Sequence, residues 1–250
     1  MQPLVSIITP CYNSSCFISE SITSVINQTY SNWELLVVDD KSTDNTKEII
    51  LSFSSNDQRI RPLFLDNNVG PAQARNFGIE RSKGRYIAFL DADDVWFSNK
   101  LKNQLLFMQN NDIAFSYTTY QRISEDGLIK YNTIKAPELM TYSSYLKNTI
   151  IGCLTVVIDR DKTGDFLMPN ISSSHDMALW LLIMKRGFDA YGLDENLAGY
   201  RVTSSSNTSN KIKVIKDVWI VYRKLEQLNL FYSLFCFCSY FVHAVKKRMI

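Results

Sequence analysis

Three carboxylates follow a short apolar run in the stretch GRYIAFLDADDVWF. The apolar part, residues 86–90, has the pattern of a buried strand, and Asp91, Asp93 and Asp94 come directly after it. Acidic groups this close raise one another's pKa, so the arrangement is unfavourable unless a positive charge binds there. Divalent cations such as Mg2+ prefer carboxylate and phosphate oxygens. The stretch therefore predicts a metal site at the end of a strand.

Two other interpretations of these acids differ in strength. An EF-hand loop requires glycine at its sixth position, where this chain has Trp96, so that calcium motif is excluded. Asp94 also precedes the helix-like segment VWFSNKLKNQLL, where an acidic residue could serve as an N-cap. The helix cap remains an alternative for Asp94 alone.

The elements that must position these acids alternate between apolar runs and helical patterns. The predicted strands cover residues 4–9, 33–38, 61–65 and 86–90. Helices are predicted at residues 19–29, 42–53 and 69–84, with Pro71 suited to the first turn of the third helix. This alternation is typical of parallel βαβ units in an open, doubly wound α/β sheet.

Polar residues follow three of these strands. They are TPCYN at residues 9–13, the pair Asp39 and Asp40, and the acids of the DADD motif at residues 91–94. Ligands of doubly wound sheets bind outside the carboxyl ends of the parallel strands. Because all three sets lie at carboxyl ends, the sequence predicts that they form a single site.

The pattern is less regular beyond residue 112. Strands are predicted at residues 112–123 and 155–160, and helices at residues 141–149 and 174–187, the last ended by Gly187. A serine-rich loop at residues 204–211 precedes a helix at residues 211–229 and an apolar, aromatic run at residues 228–245.

Charge is distributed unevenly along the 250 residues. Residues 211–250 contain eight Lys or Arg against two Asp or Glu, so this tail carries +6 and the remainder −4. The sequence is 46% hydrophobic and 21% charged, as in ordinary globular proteins. A mildly acidic body argues against nucleic-acid binding, and a basic tail suits an anionic membrane surface.

The motifs together resemble those of family 2 glycosyltransferases. The segments VSIITPCYNSSCFISESITSVINQTYSNWELLVVDDKSTDNT and NVGPAQARNFGIERSKGRYIAFLDADD carry the resemblance, which is dense over residues 4–97 and looser to about residue 202. It implies a GT-A fold with a mostly parallel, Rossmann-like sheet flanked by helices. It also implies a catalytic domain at residues 1–203, with a nucleotide half to residue 97 and an acceptor half beyond, followed by C-terminal helices at residues 211–250.

The resemblance implies transfer from a nucleotide-diphosphate sugar with Mn2+ or Mg2+ as cofactor. Asp91-Ala92-Asp93 resembles the family's DxD element. Asp93 is the first choice of metal ligand, and Asp91 would contact the ribose or the water shell of the metal. Asp94 could replace either of them, so the division of roles stays open.

The nucleotide is expected across the first two strand ends, again by resemblance. Pro10 and Tyr12 would pack on the base, and Asp40 would accept a hydrogen bond from the ring N–H of uracil. Asp39 is expected to be structural. Arg75 could reach the base or the diphosphate. Ordinary packing for Tyr12 and a surface ion pair for Arg75 are the alternatives.

The proton acceptor of the family lies at the start of a helix in the second half. The matching stretch is SSSHDMALWLLIMKRG, which makes Asp176 the candidate base. Its neighbour is His175 where relatives commonly have Glu, so His175 could line the acceptor site or cap the helix. Trp180, one turn further on, could face an acceptor ring or pack in the core.

Processive relatives carry a Gln-x-x-Arg-Trp motif and several membrane spans, neither of which occurs here. We therefore expect an enzyme that adds one sugar and releases its product. The resemblance implies transfer with inversion from a UDP-sugar, in bacterial O-antigen, capsule or cell-wall polysaccharide synthesis. If the tail lies on the membrane, the expected acceptor is a polyprenyl-diphosphate-linked glycan. A non-catalytic nucleotide-sugar-binding protein is the alternative.

The tail allows two arrangements. The run at residues 228–245 is too short and polar to span a bilayer, so its helix could lie in the membrane interface with Lys246, Lys247 and Arg248 at headgroup level. It could equally fold onto the catalytic domain or a partner subunit, which leaves a homo-oligomer open.

The location expected from the sequence is the cytoplasm, at the inner face of the cytoplasmic membrane. The N-terminal stretch MQPLVSIITP lacks the basic and long apolar regions of a signal peptide. The cysteines are odd in number and lack a zinc-type double CxxC spacing, which favours reduced thiols. They are Cys11, Cys16, Cys153, Cys236 and Cys238.

Overall fold

The computed structural model describes residues 2–171, 173–203 and 211–249. The serine-rich loop predicted at residues 204–211 therefore lies, except for its last residue, outside the described residues. The elements of the first half are β1 (Val5–Cys11), α1 (Ile18–Ile26), β2 (Trp33–Asp39), α2 (Thr46–Asn56), β3 (Ile60–Phe64), α3 (Pro71–Arg81) and β4 (Tyr86–Phe89). They confirm the strands and helices predicted there to within a few residues.

These strands form a parallel unit in the order β3-β2-β1-β4. Every residue of β1 and β2 is buried, because helices cover both faces of the sheet. Neighbouring residues therefore enter different cores: Ile7 lies in the hydrophobic cluster on one face and Ile8 in the cluster on the other. A continuous apolar run thus produces a strand that is buried on both sides.

The first half ends with the short strand β5 (Val95–Trp96). The elements of the second half are α4 (Lys100–Asn110), β6 (Phe115–Ile123), β7 (Lys130–Ile134), β8 (Leu139–Met140), α5 (Tyr142–Tyr145), a 3-10 turn (Cys153–Thr155), β9 (Val157–Asp159), α6 (Arg160–Thr163), α7 (His175–Lys185) and β10 (Ala190–Arg201). The sheet continues from β4 as β9-β6-β10-β5. Strand β9 is antiparallel to both β4 and β6, and β6 is parallel to β10. The sheet is therefore mixed beyond β4.

Strand β10 is the main element that the sequence did not predict. Its register against β6 shifts twice, between Leu193 and Asn196 and between Asn196 and Gly199, so its residues follow no simple alternation. At Gly192 a Cβ atom would lie 2.0 Å from the carbonyl oxygen of Pro137, so only glycine fits. The predicted helix at residues 141–149 is also shorter than expected, because α5 ends at Tyr145.

The C-terminal helices fold onto this domain. They comprise α8 (Lys211–Ile220), a π-helical turn (Val221–Leu225) and α9 (Leu230–Met249). Tyr222 and Cys236 are fully buried in the same hydrophobic cluster as Trp180 of α7. Glu226 accepts a hydrogen bond from the Tyr142 hydroxyl at 2.6 Å. Of the two arrangements open to the tail, contact with the catalytic domain is therefore observed.

The outer face of α9 remains exposed and apolar. Its exposed side chains are Leu230, Phe231, Leu234, Phe235, Phe241 and Val242. Among the described residues no helix combines the length and apolar character that crossing a bilayer requires. The side chains of Lys246, Lys247 and Arg248 lie outside the described ones.

Candidate active site

The three polar sets predicted to converge lie at one edge of the sheet. Strand β1 is hydrogen-bonded to β2 on one side and to β4 on the other, all three parallel. The Asp40 N–H donates to the Cys11 carbonyl at 2.8 Å, and the Leu90 N–H donates to the Ile8 carbonyl at 3.1 Å. The carboxyl ends of β2, β1 and β4 are therefore adjacent, which confirms the prediction of a single edge.

Asp40 anchors the loop that leads into α3. Its two carboxylate oxygens accept hydrogen bonds from the N–H groups of Val69 at 2.7 Å and Gly70 at 2.8 Å. Gly70 has φ of +84°, a left-handed conformation that glycine adopts without strain. Each carboxylate oxygen still has a second lone pair, so a contact with uracil stays a prediction.

Three residues near Asp40 differ in exposure: Asp39 and Pro10 are buried, whereas Tyr12 is exposed. Asp39 is buried and accepts a hydrogen bond from the Ser42 hydroxyl, which gives it the structural role expected. Tyr12 is 50% exposed directly after β1, whereas Pro10 is buried within that strand. An exposed aromatic ring at this edge can stack on a nucleobase.

The acids of the DADD motif have different environments. Asp91 pairs with Arg75. Asp94 is only 1% exposed; its Oδ1 accepts a hydrogen bond from the Arg201 N–H at 2.8 Å, and its Oδ2 has no partner among the described residues. No described side chain from another residue hydrogen-bonds the Asp93 carboxylate. The structure thus leaves oxygen atoms of Asp93 and Asp94 available.

Burial and mutual repulsion both disfavour ionisation of the last two acids. Burial, followed by the charge of Asp91, raises the pKa of Asp93 to about 6. Burial, followed by the charges of Asp93 and Asp91, raises the pKa of Asp94 well above its ordinary value. A divalent cation would favour the ionised forms, so these residues fit a hard-metal site.

The acids do not by themselves make a complete metal cage. Within the described ranges, no three His, Cys, Asp or Glu side chains are grouped so that they could enclose an ion. Magnesium-like ions commonly use one or two carboxylates, with substrate phosphates and water as the other ligands. The alternative of a helix cap is wrong for Asp94, because α4 begins at Lys100 with Asn99 at its N-cap.

Arg201 is the site residue that sequence reasoning missed. It is 1% exposed, although it lies at the end of β10, far along the chain from the acids. Its Nε donates to the Asp93 carbonyl at 2.7 Å, its Nη1 to the Glu125 carbonyl at 2.6 Å, and its Nη2 pairs with Glu20. The sequence feature that could have indicated this residue is an arginine directly after the apolar run LAGY, at the end of a strand.

The pairing of β5 with β10 explains how Arg201 reaches the acids. Trp96 lies opposite Ala198, and Val95 lies opposite Gly199, in an antiparallel register. Continuing that register by two residues brings Asp93 opposite Arg201. The DADD motif is therefore fixed by a strand that follows it by about a hundred residues.

The candidate base, Asp176, lies at the start of α7. Its Oδ1 accepts the N–H of Met177 at 2.8 Å. The charges of both Asp91 and Asp176 act on Arg75, which is buried on α3. Arg75 therefore lies between the acid motif and the start of α7.

The two residues expected near an acceptor have other surroundings. His175 is buried, and its Nε2 lies 2.7 Å from the Nη1 of Arg75. Trp180 is fully buried, with its ring 5.7 Å from that of Phe89 and 5.4 Å from that of Phe115. Of the two roles open to Trp180, core packing is therefore the one observed.

This edge can bind an anionic nucleotide beside a pair of carboxylates and offer a further carboxylate from α7. Residues 6–164 match the family described as Glycosyl transferase family 2. The chain belongs to this family and is a glycosyltransferase.

Several relatives match almost the whole chain. TuaG of Bacillus subtilis, named for teichuronic acid biosynthesis, is 48% identical over 248 residues, which is 99% of this chain and 98% of TuaG. WfgD of Escherichia coli is 42% identical over 246 residues, which is 98% of this chain and 95% of WfgD. WfgD is named as a UDP-Glc:α-D-GlcNAc-diphosphoundecaprenol β-1,3-glucosyltransferase.

Solved structures confirm the GT-A fold. S. aureus TarS 1–349, solved in complex with UDP-GlcNAc, matches with a TM-score of 0.69 at 20% identity, covering 88% of this chain and 66% of the solved chain. The mannosyltransferase PcManGT of Pyrobaculum calidifontis, solved with GDP-Man and Mn2+, matches with a TM-score of 0.71 at 17% identity, covering 92% and 66%.

Proposed function

We propose that this glycosyltransferase moves one sugar from a UDP-sugar to a polyprenyl-diphosphate-linked glycan, with inversion and with Mn2+ or Mg2+. The observation that carries the proposal is the placement of Arg75 between the DADD acids and Asp176. The names of WfgD and of the TarS complex support a UDP-sugar donor, and the name of WfgD supports a lipid-diphosphate acceptor. The names of TuaG and WfgD also support a role in bacterial polysaccharide synthesis.

Donor binding would use the edge formed by β1, β2 and β4. Tyr12 would stack on the base beside Pro10, and Asp40 would accept the uracil N–H. Asp93 and Asp94 would hold the divalent cation, with Asp91 beside them. The bound cation supplies a positive charge that stabilises the departing diphosphate.

Arg75 and Asp176 would then act on the two partners of the transfer. The guanidinium of Arg75 would face the diphosphate, where its fixed charge favours an anionic leaving group. Asp176 would accept the proton of the acceptor hydroxyl as that oxygen attacks the anomeric carbon. The new glycosidic bond forms as the bond to the diphosphate breaks, and UDP leaves with the electron pair. A direct displacement of this kind inverts the anomeric configuration.

The test is transfer by the purified chain to a GlcNAc-diphosphate-lipid acceptor, with a panel of UDP- and GDP-sugars. We expect transfer with a UDP-sugar, loss of transfer with EDTA, and recovery with Mn2+ or Mg2+. Asp176→Asn should lower kcat at least ~100-fold, because general-base catalysis contributes about that much or more, while UDP affinity stays within severalfold. Asp165→Asn is a matched control, since Asp165 is exposed and lies on the loop before α7.

The same experiment distinguishes the alternative function. A non-catalytic nucleotide-sugar-binding protein would bind UDP without transferring sugar, and its binding would be unchanged in Asp176→Asn. Transfer that proceeds normally in Asp176→Asn would remove this residue from the mechanism. Transfer unaffected by EDTA would remove the metal.

We also propose that the enzyme works at the inner face of the cytoplasmic membrane through the outer face of α9. This face exposes a stripe of apolar side chains at helical spacing, with Phe231 83% and Phe235 58% exposed. Lys147 lies over the ring of Phe235, 5.5 Å from its centroid, and Lys246, Lys247 and Arg248 follow in the sequence. Apolar and aromatic groups beside basic ones are the chemistry of interfacial helices on anionic lipid.

Sedimentation with phosphatidylglycerol-containing vesicles tests the membrane surface. The double variant Phe231→Ser, Phe235→Ser should lose most vesicle binding. The control variant Leu51→Ser, Leu106→Ser should retain it, because those exposed leucines lie on α2 and α4. If the Phe variant binds vesicles as well as the wild type does, the membrane assignment is wrong. If the substitutions instead dissociate a dimer and leave vesicle binding unchanged, the outer face of α9 is a contact between two copies of the chain.

A further inference from the structure

Arg75 depends on two residues from distant parts of the chain. Its Nη2 pairs with Asp91 at the end of β4, and its Nη1 lies 2.7 Å from the Nε2 of His175 at the start of α7. The Arg75 side chain is only 6% exposed, so water contributes little to fixing its position. The orientation of the guanidinium is therefore set by Asp91 on one side and His175 on the other.

The chemistry of the contact fixes the state of the histidine. Arginine is a donor only and stays protonated in proteins, so the contact requires a lone pair on the Nε2 of His175. The imidazole is therefore neutral, with its proton on Nδ1. Burial, followed by the positive charge of Arg75, lowers the pKa of His175, which agrees with a neutral ring.

The chain directly before His175 is held in a defined conformation. Ser174 adopts φ of +53°, a left-handed conformation that is uncommon for a residue with a side chain. Ser173 is fixed through its N–H and hydroxyl, which donate to Asp217 of α8 at 2.7 and 2.6 Å. A backbone in this conformation persists where surrounding contacts determine it, and the contact of His175 with Arg75 is one of them.

We propose that His175 is a positioning residue, which holds the guanidinium of Arg75 toward the donor diphosphate and links α3 to the start of α7 beside Asp176. This rests on the proposed function, in which Arg75 faces the leaving group. His175 adds no charge to the pair of Arg75 and Asp91. Asp91 balances the charge of Arg75, and the guanidinium N–H groups that neither Asp91 nor His175 uses remain available to a phosphate.

Two amide variants of His175 test whether its role depends on the length of the side chain, that is, on whether an acceptor atom reaches Arg75. Glutamine carries its side-chain oxygen about where the Nε2 of histidine lies, whereas asparagine is one methylene shorter and cannot reach Arg75. We expect His175→Gln to keep kcat within about threefold. His175→Asn should lower kcat by tenfold to ~100-fold, because small misplacements of a catalytic group have effects of this size. The KM for the UDP-sugar should change less than kcat in both variants.

A double-mutant cycle with Arg75→Lys separates positioning from a general structural role. If His175 acts through Arg75, His175→Asn should change kcat less than twofold in the Arg75→Lys background. Equal losses in both backgrounds would overturn the proposal, as would equal kcat for the Gln and Asn variants. Thermal unfolding of each variant identifies those that fail to fold; if His175→Asn is one, His175→Phe, which lacks an acceptor, replaces it in the cycle.

Calorimetric titration with UDP distinguishes this inference from the proposed function. A wild-type chain that neither binds UDP nor transfers sugar would contradict the proposed function. A wild-type chain that does both, with His175→Asn as active as wild type, would contradict only the role of His175.

Discussion

The two halves of the sheet reach the same site by different routes. In residues 1–97, β1, β2 and β3 are parallel neighbours joined by short helical connections, and their apolar runs are buried on both faces. In residues 98–203, β9 separates β4 from β6, and β10 pairs with strands that precede it by many residues. The first half is therefore encoded by local patterns, whereas the second depends on pairings between distant segments.

Two buried arginines show the same contrast at the site. Arg75 belongs to the regular half and contacts Asp91, sixteen residues further along the chain. Arg201 belongs to the irregular half and contacts Asp93 and Asp94 from more than a hundred residues away. Together they hold the DADD motif from two sides. The acids are thus a local motif that long-range contacts fix in position.

The largest effect is expected at the acid with the most available carboxylate. Asp93→Asn removes a negative charge and the proposed metal ligand while keeping the shape of the side chain. We expect kcat to fall about 10³-fold, a size typical of lost electrostatic stabilisation in active sites. Steady-state transfer assays over a range of Mn2+ concentrations measure it. A variant with normal kcat and normal metal requirement would show that Asp93 does not hold the metal.

A smaller effect, on the stability of the fold, is expected at Arg201 in the irregular half. Arg201→Met leaves two carbonyl groups without their donors and removes a positive charge beside Asp94. We expect the free energy of unfolding to fall by about 2–4 kcal/mol, within the range for broken buried polar networks.

Glu20→Gln is the matched control for Arg201. It removes the same ion pair from its exposed side, where the Glu20 side chain is 56% exposed. Glutamine keeps a side-chain oxygen that can accept from the Nη2 of Arg201, and Glu20 is itself exposed to water, so this variant should lose less free energy of unfolding than Arg201→Met. Urea denaturation measures both variants. Equal losses would mean that the exposed ion pair, and not the buried contacts with the acid motif, explains the effect of Arg201.

The smallest effect is expected where the halves join, at Lys100 of α4. Lys100 is fully buried; its Nζ donates to the Gln104 side chain at 2.7 Å and lies 4.3 Å from the centroid of the Trp96 ring. Burial lowers its pKa from 10.5 to about 7. Between these values the unfolded chain binds a proton that the folded chain does not, so this group makes stability rise with pH from about 7 to about 10.

Replacement of Lys100 by methionine removes the titration while keeping the length of the side chain. The difference in unfolding free energy between wild type and Lys100→Met should shift in favour of wild type by about 2 kcal/mol between pH 7 and pH 9. Groups that titrate elsewhere affect both proteins and cancel in this difference. Urea denaturation at the two pH values checks it, and parallel curves would contradict a buried neutral lysine.

Much of the candidate site could be predicted because its residues belong to short motifs at strand ends. Asp40 and the DADD acids follow apolar runs directly, so the rule for parallel sheets placed them on one edge before any contact was known. Glycine at position 192 and the short α5 could not be predicted in this way. The need for glycine at position 192 reflects the approach of the Pro137 carbonyl, which comes from a distant part of the chain.

The C-terminal helix α9 explains why the sequence was compatible both with packing on the catalytic domain and with binding to a membrane. One face of α9 packs on the domain through Cys236, and the opposite face exposes Phe231 and Phe235. A helix with apolar side chains on more than one face has the same composition whether it lies on protein, on lipid or between them. Composition alone therefore could not decide which face was covered.

The sequence by itself determined the parallel strands, the acidic motif and the family, because buried runs and strand-end residues are local properties. Tertiary structure decided what surrounds those acids: Arg75 pairs with Asp91, whereas the Arg201 side chain donates to the backbone carbonyl of Asp93 and the Arg201 backbone N–H donates to the Asp94 carboxylate. It also decided that His175 contacts Arg75 and that Trp180 lies in the core. The physical reason is that a buried charge requires a partner, and only the folded chain brings residues so far apart in sequence within hydrogen-bonding distance.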